Sequence, residues 1–158
     1  MDIIYDGRRY AGVTDADAAA MLGLPAGVYA AAALQDAREQ GRRAIDAAAV
    51  AARGRHASPL AGQDGIYQMK AEAAAAFVAA GRPADASAWP MLTAEAQARA
   101  MTVAALADEI LAARTAWIAA AANIEAIRVS AKQGLDLLDD ATAIEAAVTA
   151  ARTALRGY

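Results

Sequence analysis

Apolar side chains recur every seven residues along the second half of the chain, and this is the clearest pattern in the sequence. The main stripe consists of Val103, Ile110, Trp117, Ile124, Ala131 and Leu138. A second stripe interleaves with it and consists of Leu106, Ala113, Ala120, Ile127 and Gly134. A heptad spacing held over about five repeats predicts one long helix with a packed seam. The partner of the seam is either another helix of the same chain or a second copy.

The first ten residues follow a different pattern. Short β-prone segments, 3–5 and 8–10, flank the pair Asp6-Gly7. An Asp-Gly pair between such segments predicts a β-hairpin with a two-residue turn. An isolated hairpin is only marginally stable in water. We therefore expect the hairpin either to pack on the helices or to add to the sheet of a partner.

The remaining apolar pattern predicts five further helices. Three of them cover about residues 15–22, 29–53 and 64–80, a short one follows Trp89-Pro90, and one ends the chain. The third has an apolar stripe that consists of Ile66, Met69 or Lys70, Ala73, Phe77 and Ala80. Polar residues before each apolar run predict the helix starts. These are Thr14, Thr93, Thr102 and a capping box formed by Thr142 and Glu145.

These elements predict a mainly α protein: a helical bundle or coiled coil with one long heptad helix, preceded by a short N-terminal β-hairpin. Residues 54–63 contain Gly, Ser and Pro and form the best candidate for an internal boundary. We divide the chain into a docking segment, 1–60, with the hairpin and alanine-rich helices, and a helical bundle domain, 61–158.

Composition predicts a thin core. Of 158 residues, 58% are hydrophobic, but 52 are alanine, so only 40 are larger apolar residues. Alanine favours helices whose backbones approach closely. Trp89 is one of only two tryptophans, and with Pro90 it is expected to pin its connecting segment onto the helices.

Charge and cysteine content exclude several classes of function. The net charge is −3, from 15 basic and 18 acidic residues, and this lacks the basic excess of nucleic-acid binders. The chain has no cysteine for disulfides or thiolate chemistry. The N-terminus lacks a secretory signal, and charges interrupt the apolar runs before the ~20 residues of a membrane span. A lipid-associated helical coat is disfavoured, because its helices would have broad apolar faces flanked by lysines.

Candidate catalytic groups are few. His56 is the only histidine and lies in a loop beside arginines, where a solvated side chain is expected. Asp136, Asp139 and Asp140 crowd a helix junction and are interpreted as caps rather than cation ligands. No phosphate-binding loop or serine triad is present. The sequence therefore predicts a non-enzymatic protein without catalytic, cofactor-binding or metal residues and without a small-molecule substrate.

A set of spaced residues across three predicted helices carries a resemblance to a known family. The set is Tyr67-x-x-Lys70-x-Glu72-Ala73, Gly81, Trp89-Pro90-x-Leu92-x-x-Glu95-Ala96, Thr102-x-x-Ala105, Ile110, Trp117, Glu125-x-x-Arg128 and Lys132. It resembles a helical domain encoded near the tail-fibre and baseplate genes of tailed bacteriophages and of prophages of proteobacteria. The resemblance covers about residues 64–140.

The resemblance implies a phage protein that acts through contacts: a virion structural component of the tail, associated with the tail fibre or baseplate, or alternatively a tail-fibre assembly chaperone that the virion does not retain. The implied partners are other phage tail proteins and further copies of the chain, without nucleic acid or membrane. The implied location is the virion, after synthesis in the host bacterial cytoplasm.

Under this hypothesis, the residues that matter lie at interfaces. They are Ile3, Ile4, Tyr5, Trp89, Val103, Ile110, Trp117 and Ile124. If Trp117 is buried, as the heptad implies, its replacement by alanine costs about 3–5 kcal/mol through the cavity it leaves.

Overall fold

The computed structural model of the protein describes residues 1–56 and 63–158. These residues are mainly helical, with six helices after an antiparallel two-stranded hairpin, and this confirms the predicted fold class. The strands are β1 (Ile3–Tyr5) and β2 (Arg8–Tyr10). The helices are α1 (Ala16–Met21), α2 (Ala26–Gly54), α3 (Gln63–Ala79), α4 (Pro90–Ala98), α5 (Val103–Asp136) and α6 (Ala141–Arg156).

The hairpin forms where the Asp-Gly pair predicts it. Asp6 and Gly7 both have positive φ, 48° and 70°, as the two central residues of a type I′ turn require. Ile4 pairs with Arg9, and Tyr5 with Arg8. The turn therefore sets the register of the two strands.

Several helices begin at other residues than the sequence predicts. At α1, the carboxylate of Asp15 accepts the backbone N–H of Ala18 at 2.8 Å, so Asp15 and not Thr14 is the cap. At α6, Asp140 accepts from Ala143 at 2.8 Å and replaces the expected capping box. In both cases an aspartate at the correct spacing satisfies a free N–H at the helix start.

The short fourth helix also begins earlier than predicted. Pro90 occupies its first turn, so Thr93 lies inside α4 rather than before it. Proline suits this position because its fixed φ is helical and the first turn needs no N–H donor. The Thr93 hydroxyl instead donates to the carbonyls of Ala86 and Trp89, both at 3.0 Å. The predicted cap of α5 is confirmed, because Thr102 Oγ1 accepts from Ala105 N at 3.1 Å.

Two compact units divide the described residues. Unit 1 contains Met1–Ala52 and Ile124–Tyr158, and unit 2 contains Arg53–Asn123. Unit 1 is thus discontinuous in sequence, because residues 124–158 belong to it together with the N-terminal segment. The predicted division into 1–60 and 61–158 instead places residues 124–158 in the helical bundle domain. The predicted boundary itself, and most of the predicted loop at 54–63, lie outside the described residues.

The hairpin packs on helices of its own unit. Ile3 is 3% exposed and forms a buried cluster with Val13, Ala19 and Leu24. The Met1 ammonium donates to the Val13 carbonyl and the Val13 N–H donates to Met1 O, both at 2.9 Å. These contacts anchor β1 on α1 and the start of α2.

The rest of unit 1 is formed by α2, α6 and the C-terminal part of α5. One buried cluster joins Ile45, Leu135, Ile144 and Ala151, and a second joins Ala49, Ala52, Ile124 and Leu155. Three of these eight side chains are alanine. The core is therefore thin, as the composition predicts, and it relies on close approach of the helices.

Unit 2 has one buried cluster, to which α3, α4 and the start of α5 contribute. Its members are Ala74, Phe77, Leu92, Ala96, Leu106 and Ala107. The predicted stripe of α3 is correct at Phe77, which is buried, and at Ala73, which packs against the cluster. It is wrong at Ile66, Met69 and Ala80, which are exposed, whereas the alternative to Met69, Lys70, is half-buried. Ala71 and Ala74 are the other buried residues of α3.

The long heptad helix is confirmed as α5, but a coiled coil is not. Its seam residues contact different clusters: Val103 and Ile110 pack on the unit 2 core, and Ile124 is buried in unit 1. Residues 112–119 in the middle of α5 are all exposed. Within the described residues, the seam therefore does not pack along one partner helix.

Candidate docking surfaces

The outer edge of β1 presents free backbone groups. In an antiparallel pair, hydrogen-bonded and non-hydrogen-bonded residue pairs alternate. Tyr5 and Arg8 flank the two-residue turn and form a hydrogen-bonded pair, so Ile4 and Arg9 form a non-hydrogen-bonded one. The N–H and C=O of Ile4 consequently point away from β2. The Ile4 side chain is 77% exposed.

An open groove of about 680 Å³ lies between β1 and the N-terminal half of α2, entirely within unit 1. Ile3, Ile4 and Tyr5 line one side. One face of α2 forms the other side, with Val28, Ala31, Ala32, Gln35, Asp36 and Glu39. The positions recur at helical spacing, so the groove has an apolar stretch that continues into a polar, acidic one.

The lining of this groove is negatively charged. It contains the carboxylates of Asp2, Asp36 and Glu39 and one cation, the ammonium of Met1. Arg9 pairs with Asp2, and its side-chain hydrogen bond, together with the backbone N–H of Gly12, lowers the pKa of Asp2. The lining alone has a formal charge of −2, from three carboxylates and one ammonium.

The expected interface residues on the hairpin differ in their exposure. Ile3 is buried in its own unit and is not available to a partner. Ile4 and Tyr5 are exposed. Ile3 and Ile4 differ because successive side chains of a strand point to opposite faces. Tyr5 is on the face of Ile3, but it lies next to the turn, outside the buried cluster of Ile3.

Trp89 lies at the N-terminal end of α4 and packs within unit 2. Its ring makes an edge-to-face contact with Phe77, with 5.2 Å between ring centroids. Such a contact stabilises beyond simple burial. The sequence predicts that Trp89 pins its segment onto the helices, and the ring does pack on the unit 2 cluster together with Val103 and Ile110. For these three residues, a role at an interface between chains stays a prediction.

Trp117 is exposed to a greater extent than the heptad predicts. Its side chain is 38% exposed, and its ring lies 5.4 Å from that of His56. The neighbouring Ile118 is also exposed. Ile124, in contrast, is fully buried among Ala49, Ala52 and Leu155. The central part of the seam is therefore the part that remains open to a partner.

Ion pairs stabilise the helices of unit 1. Asp46 of α2 accepts from Lys132 Nζ at 2.7 Å and from Arg128 Nη1 at 2.9 Å. These hydrogen bonds lower the pKa of Asp46, and Arg128 has its pKa raised, first by Glu125 and then by Asp46. Each group is thereby held in its charged form, which is the behaviour of a structural ion pair.

Within residues 1–56 and 63–158, no cluster of three His, Asp or Glu side chains is placed to hold a metal ion. Asp136 pairs with Arg42, and Asp140 caps α6, so two of the three crowded aspartates have structural partners. Each resolved shift of a carboxyl pKa in this part of the chain is downward, away from the range of a general acid or base.

Among the described helices, α5 alone is long and apolar enough to span a bilayer by length and composition. Its most apolar 18-residue window has a mean hydropathy of 1.3, and 6% of that window is buried. Charges still interrupt this window, as the sequence predicts, because its longest uncharged run, residues 115–124, is shorter than the ~20 residues of a membrane span. This window consists of residues 110–127 and contains two charged residues, Arg114 and Glu125.

Sequence reasoning missed the groove beside β1. Asp36 and Glu39 are charged residues on the polar face of α2, for which a solvated surface is the ordinary expectation. A usable signal was present, because Val28, Ala32 and Asp36 recur every four residues and place an apolar stripe in line with an acidic one. That this face lies opposite β1 follows only from the fold.

These features define a class: an alanine-rich, mainly helical bundle protein with an N-terminal β-hairpin and exposed apolar side chains. Comparison of the chain with protein-family models, with curated proteins and with solved structures found no match.

Proposed function

We propose that this protein is a non-enzymatic structural component of a bacteriophage tail, associated with the tail fibre or baseplate. It acts through helical packing and through docking of its β-hairpin, and its partners are other tail proteins and further copies of itself. The spaced residues between Tyr67 and Lys132 that resemble tail-region proteins support this proposal.

The observation that carries the proposal is the exposure of large apolar side chains on regular elements. They lie on β1, on the N-terminal half of α3 and in the middle of α5: Ile4, Tyr5, Ile66, Tyr67, Met69, Trp117 and Ile118. Exposed apolar groups that collect on one element are typical of interaction surfaces. Because these residues lie on helices and a strand, they suit lasting packing better than transient capture of a client.

A membrane role is the less favoured use of α5. Insertion would bring Arg114 and Glu125 into hydrocarbon, at a cost of several kcal/mol. It would also remove Ile124 from the cluster with Leu155, where it is fully buried. Flotation with liposomes measures this alternative directly, and co-migration of the folded chain with vesicles would contradict the proposal.

The test of the proposal is quantitative mass spectrometry of gradient-purified phage particles beside the crude lysate of the producing cells. We expect peptides of this chain in particles at a fixed ratio to the major tail protein. Peptides that are abundant in the lysate but missing from particles would instead establish the alternative, a tail-fibre assembly chaperone. No association with particle production at all would reject both.

The absence of enzymatic activity has a test of its own. A purified sample that hydrolyses a substrate in a metal-dependent manner, and loses this activity in the variant Asp139→Ala, would overturn the non-enzymatic assignment. Asp139 is the appropriate position because its neighbours Asp136 and Asp140 are engaged with Arg42 and with the start of α6.

A further inference from the structure

We propose that the outer edge of β1 and the acidic groove beside it bind an extended, basic segment of a partner protein, which adds to the hairpin as a third strand. The inference rests on the docking role given to the hairpin above and names the chemistry of the partner. Three observations carry it: the free backbone edge, the groove and the charge of its lining.

The free edge supplies hydrogen bonds to a strand of any sequence. The N–H and C=O of Ile4 point outward, because the pair that it forms with Arg9 is a non-hydrogen-bonded one. A strand placed about 4.8 Å from β1 would bond to both groups. Addition of a strand to an open sheet edge is a common mode of peptide recognition, in which main-chain bonds give affinity and side-chain sites give specificity.

The groove provides the space for this strand. It has a volume of about 680 Å³ and lies beside β1, with α2 as its second wall. Val28 and Ala32 are half-buried and form an apolar surface against which one face of the strand can pack. The bound segment would therefore contact the sheet edge through its backbone and α2 through alternate side chains.

The charge of the lining selects the partner. Asp36 and Glu39 lie one helical turn apart on the groove side of α2. In the part of the chain that the structure describes, the Asp36 carboxylate accepts one hydrogen bond, from the uncharged side-chain amide of Gln40 at 2.7 Å. Glu39 pairs with Arg43, but this pair is solvent-exposed, and such pairs contribute little stability. A lysine or arginine of an incoming strand can therefore bind at this site.

A second copy of the chain fits the groove less well through its own β1. That strand is uncharged from Ile3 to Tyr5, so pairing of two β1 strands would offer Asp36 and Glu39 no side-chain cation from the strand itself. Complementary charges across an interface favour the correct partner. The charge therefore favours a basic segment of a different protein.

The direct test is an NMR titration of the full chain, labelled with ¹⁵N, with an N-acetylated octapeptide of alternating valine and lysine. We expect the Ile4 amide to shift and to gain protection from hydrogen exchange. A peptide of alternating valine and glutamate should bind about tenfold more weakly or worse. A lysine peptide with N-methylated alternate residues should also fail, because it cannot complete the backbone pairing.

Two matched proline variants separate the two edges of the hairpin. Ile4→Pro removes the outward N–H of β1, whereas Arg9→Pro removes the equivalent N–H of β2 at the same rung of the ladder. We expect the first to abolish peptide binding. The second also frees Asp2 from its pair with Arg9, which makes the groove more negative, so it should retain the binding of the lysine peptide. If both variants lose binding equally, the β1 edge is not the site.

A third variant keeps the test decisive if the proline variants fail to fold. Asp36→Asn combined with Glu39→Gln leaves the backbone edge unchanged and removes two charges from the groove. We expect about tenfold weaker binding of the lysine peptide and a smaller dependence on salt. Unchanged affinity would overturn the role of the acidic lining.

Further results of the NMR titration would reject the proposal that β1 binds a basic strand. Absence of any Ile4 shift up to about 5 mM lysine peptide, or equal binding of both peptides, would reject the proposal. An Ile4 shift that depends on protein concentration without peptide would mean that a second copy occupies the edge, which also rejects it. None of these results depends on particle composition, so failure here and absence from phage particles are distinguishable.

Discussion

Gly41 lies in the middle of α2, where the backbone of that helix closely approaches other parts of unit 1. A Cβ atom at this position would lie 2.8 Å from Val148 Cγ2 and 3.0 Å from Leu135 Cδ1. Real Cβ contacts are essentially never as short as the first of these, and the β-branched Val148 has few other rotamers on a helix. Glycine at residue 41 therefore permits α6 to pack on α2.

We expect Gly41→Ala to lower the free energy of unfolding by about 1 kcal/mol, because overpacking costs about 1–3 kcal/mol and alanine regains roughly 0.5–1 kcal/mol of helix propensity. Gly134→Ala in α5 is the matched control, since nothing lies within 4 Å of its Cβ position. That control should be neutral or stabilising. Urea denaturation of both variants measures the difference, and equal stability would contradict the close approach.

Trp117 and Phe77 form a second comparison at the scale of single residues. The structure revises the cost expected for a buried Trp117, because this residue is 38% exposed and its ring lies 5.4 Å from the ring of His56, tilted by 39°. Phe77 is fully buried in the unit 2 cluster. We expect Phe77→Ala to cost about 3–5 kcal/mol and Trp117→Ala less than about 2 kcal/mol. Thermal denaturation will rank them, and the opposite order would show that Trp117 is covered in the assembled protein.

At the scale of elements, the C-terminal end of α5 is stabilised by a side chain from α2. Arg38 donates to the carbonyls of Leu135 at 3.2 Å and Leu138 at 2.6 Å. The last carbonyls of a helix have no partner within the helix, and a cation there also interacts favourably with the helix dipole. This contact therefore connects two elements that are distant in sequence.

We expect Arg38→Met to reduce the free energy of unfolding by about 1.5–3 kcal/mol, the range for hydrogen bonds to a charged group that is partly buried. Methionine keeps the aliphatic packing but cannot donate. Arg43→Met is a suitable control, because Arg43 is exposed and bonded only to Glu39 among the contacts seen. If the two variants are equally stable, the cap contributes nothing measurable.

The ion pair of Asp46 in α2 with Lys132 and Arg128 in α5 makes the free energy of unfolding depend on pH. Hydrogen bonds from these two cations lower the pKa of Asp46 in the folded state below 3.8. The pair therefore stabilises the fold fully above about pH 4, and this stabilisation is lost as the pH falls through the folded-state pKa. Its size stays below about 1 kcal/mol because the aspartate is half-exposed.

An NMR titration of the Asp46 carboxyl group will give a midpoint below 3.8 if this account is correct. Lys132→Met should raise that midpoint, since it removes the partner with the largest influence. In parallel, the free energy of unfolding should decrease less steeply below pH 4 in Asp46→Asn than in the original chain. A midpoint at or above 3.8 would show that the pair does not form in solution.

At the scale of the whole molecule, the thin core leaves large apolar side chains uncovered. Residues 112–119 of α5 are exposed, and they include Trp117 and Ile118. Helices with alanine along their seam can approach one another closely. The prediction of self-association therefore concerns this part of α5.

We expect sedimentation equilibrium to give a mass above the 16.1 kDa of one chain. Ile118→Glu should shift the equilibrium toward monomer, because it places a charge among the exposed apolar residues. Ala126→Glu adds the same charge at another exposed position of α5 and serves as the control. A monomer at all concentrations, or equal effects of both variants, would contradict self-association through this part of α5.

The sequence by itself determined the local structure. The Asp6-Gly7 turn formed as predicted because both residues tolerate positive φ. The seven-residue period of α5 identified a long helix, since periodicity depends only on which face is buried. Composition also indicated the thin core. The caps were less predictable, because Thr14 and Asp15 are adjacent and either could serve.

Only the tertiary structure decided which surfaces are covered. Arg38 caps α5 at Leu138, 100 residues away, and Gly41 is required only because α6 packs beside it. The groove exists because β1 lies opposite α2. Turns and helix periods arise from neighbours within a few residues, whereas burial depends on partners that are distant in the chain. For this reason the sequence identified α5 as a packing helix but not that its middle stays exposed.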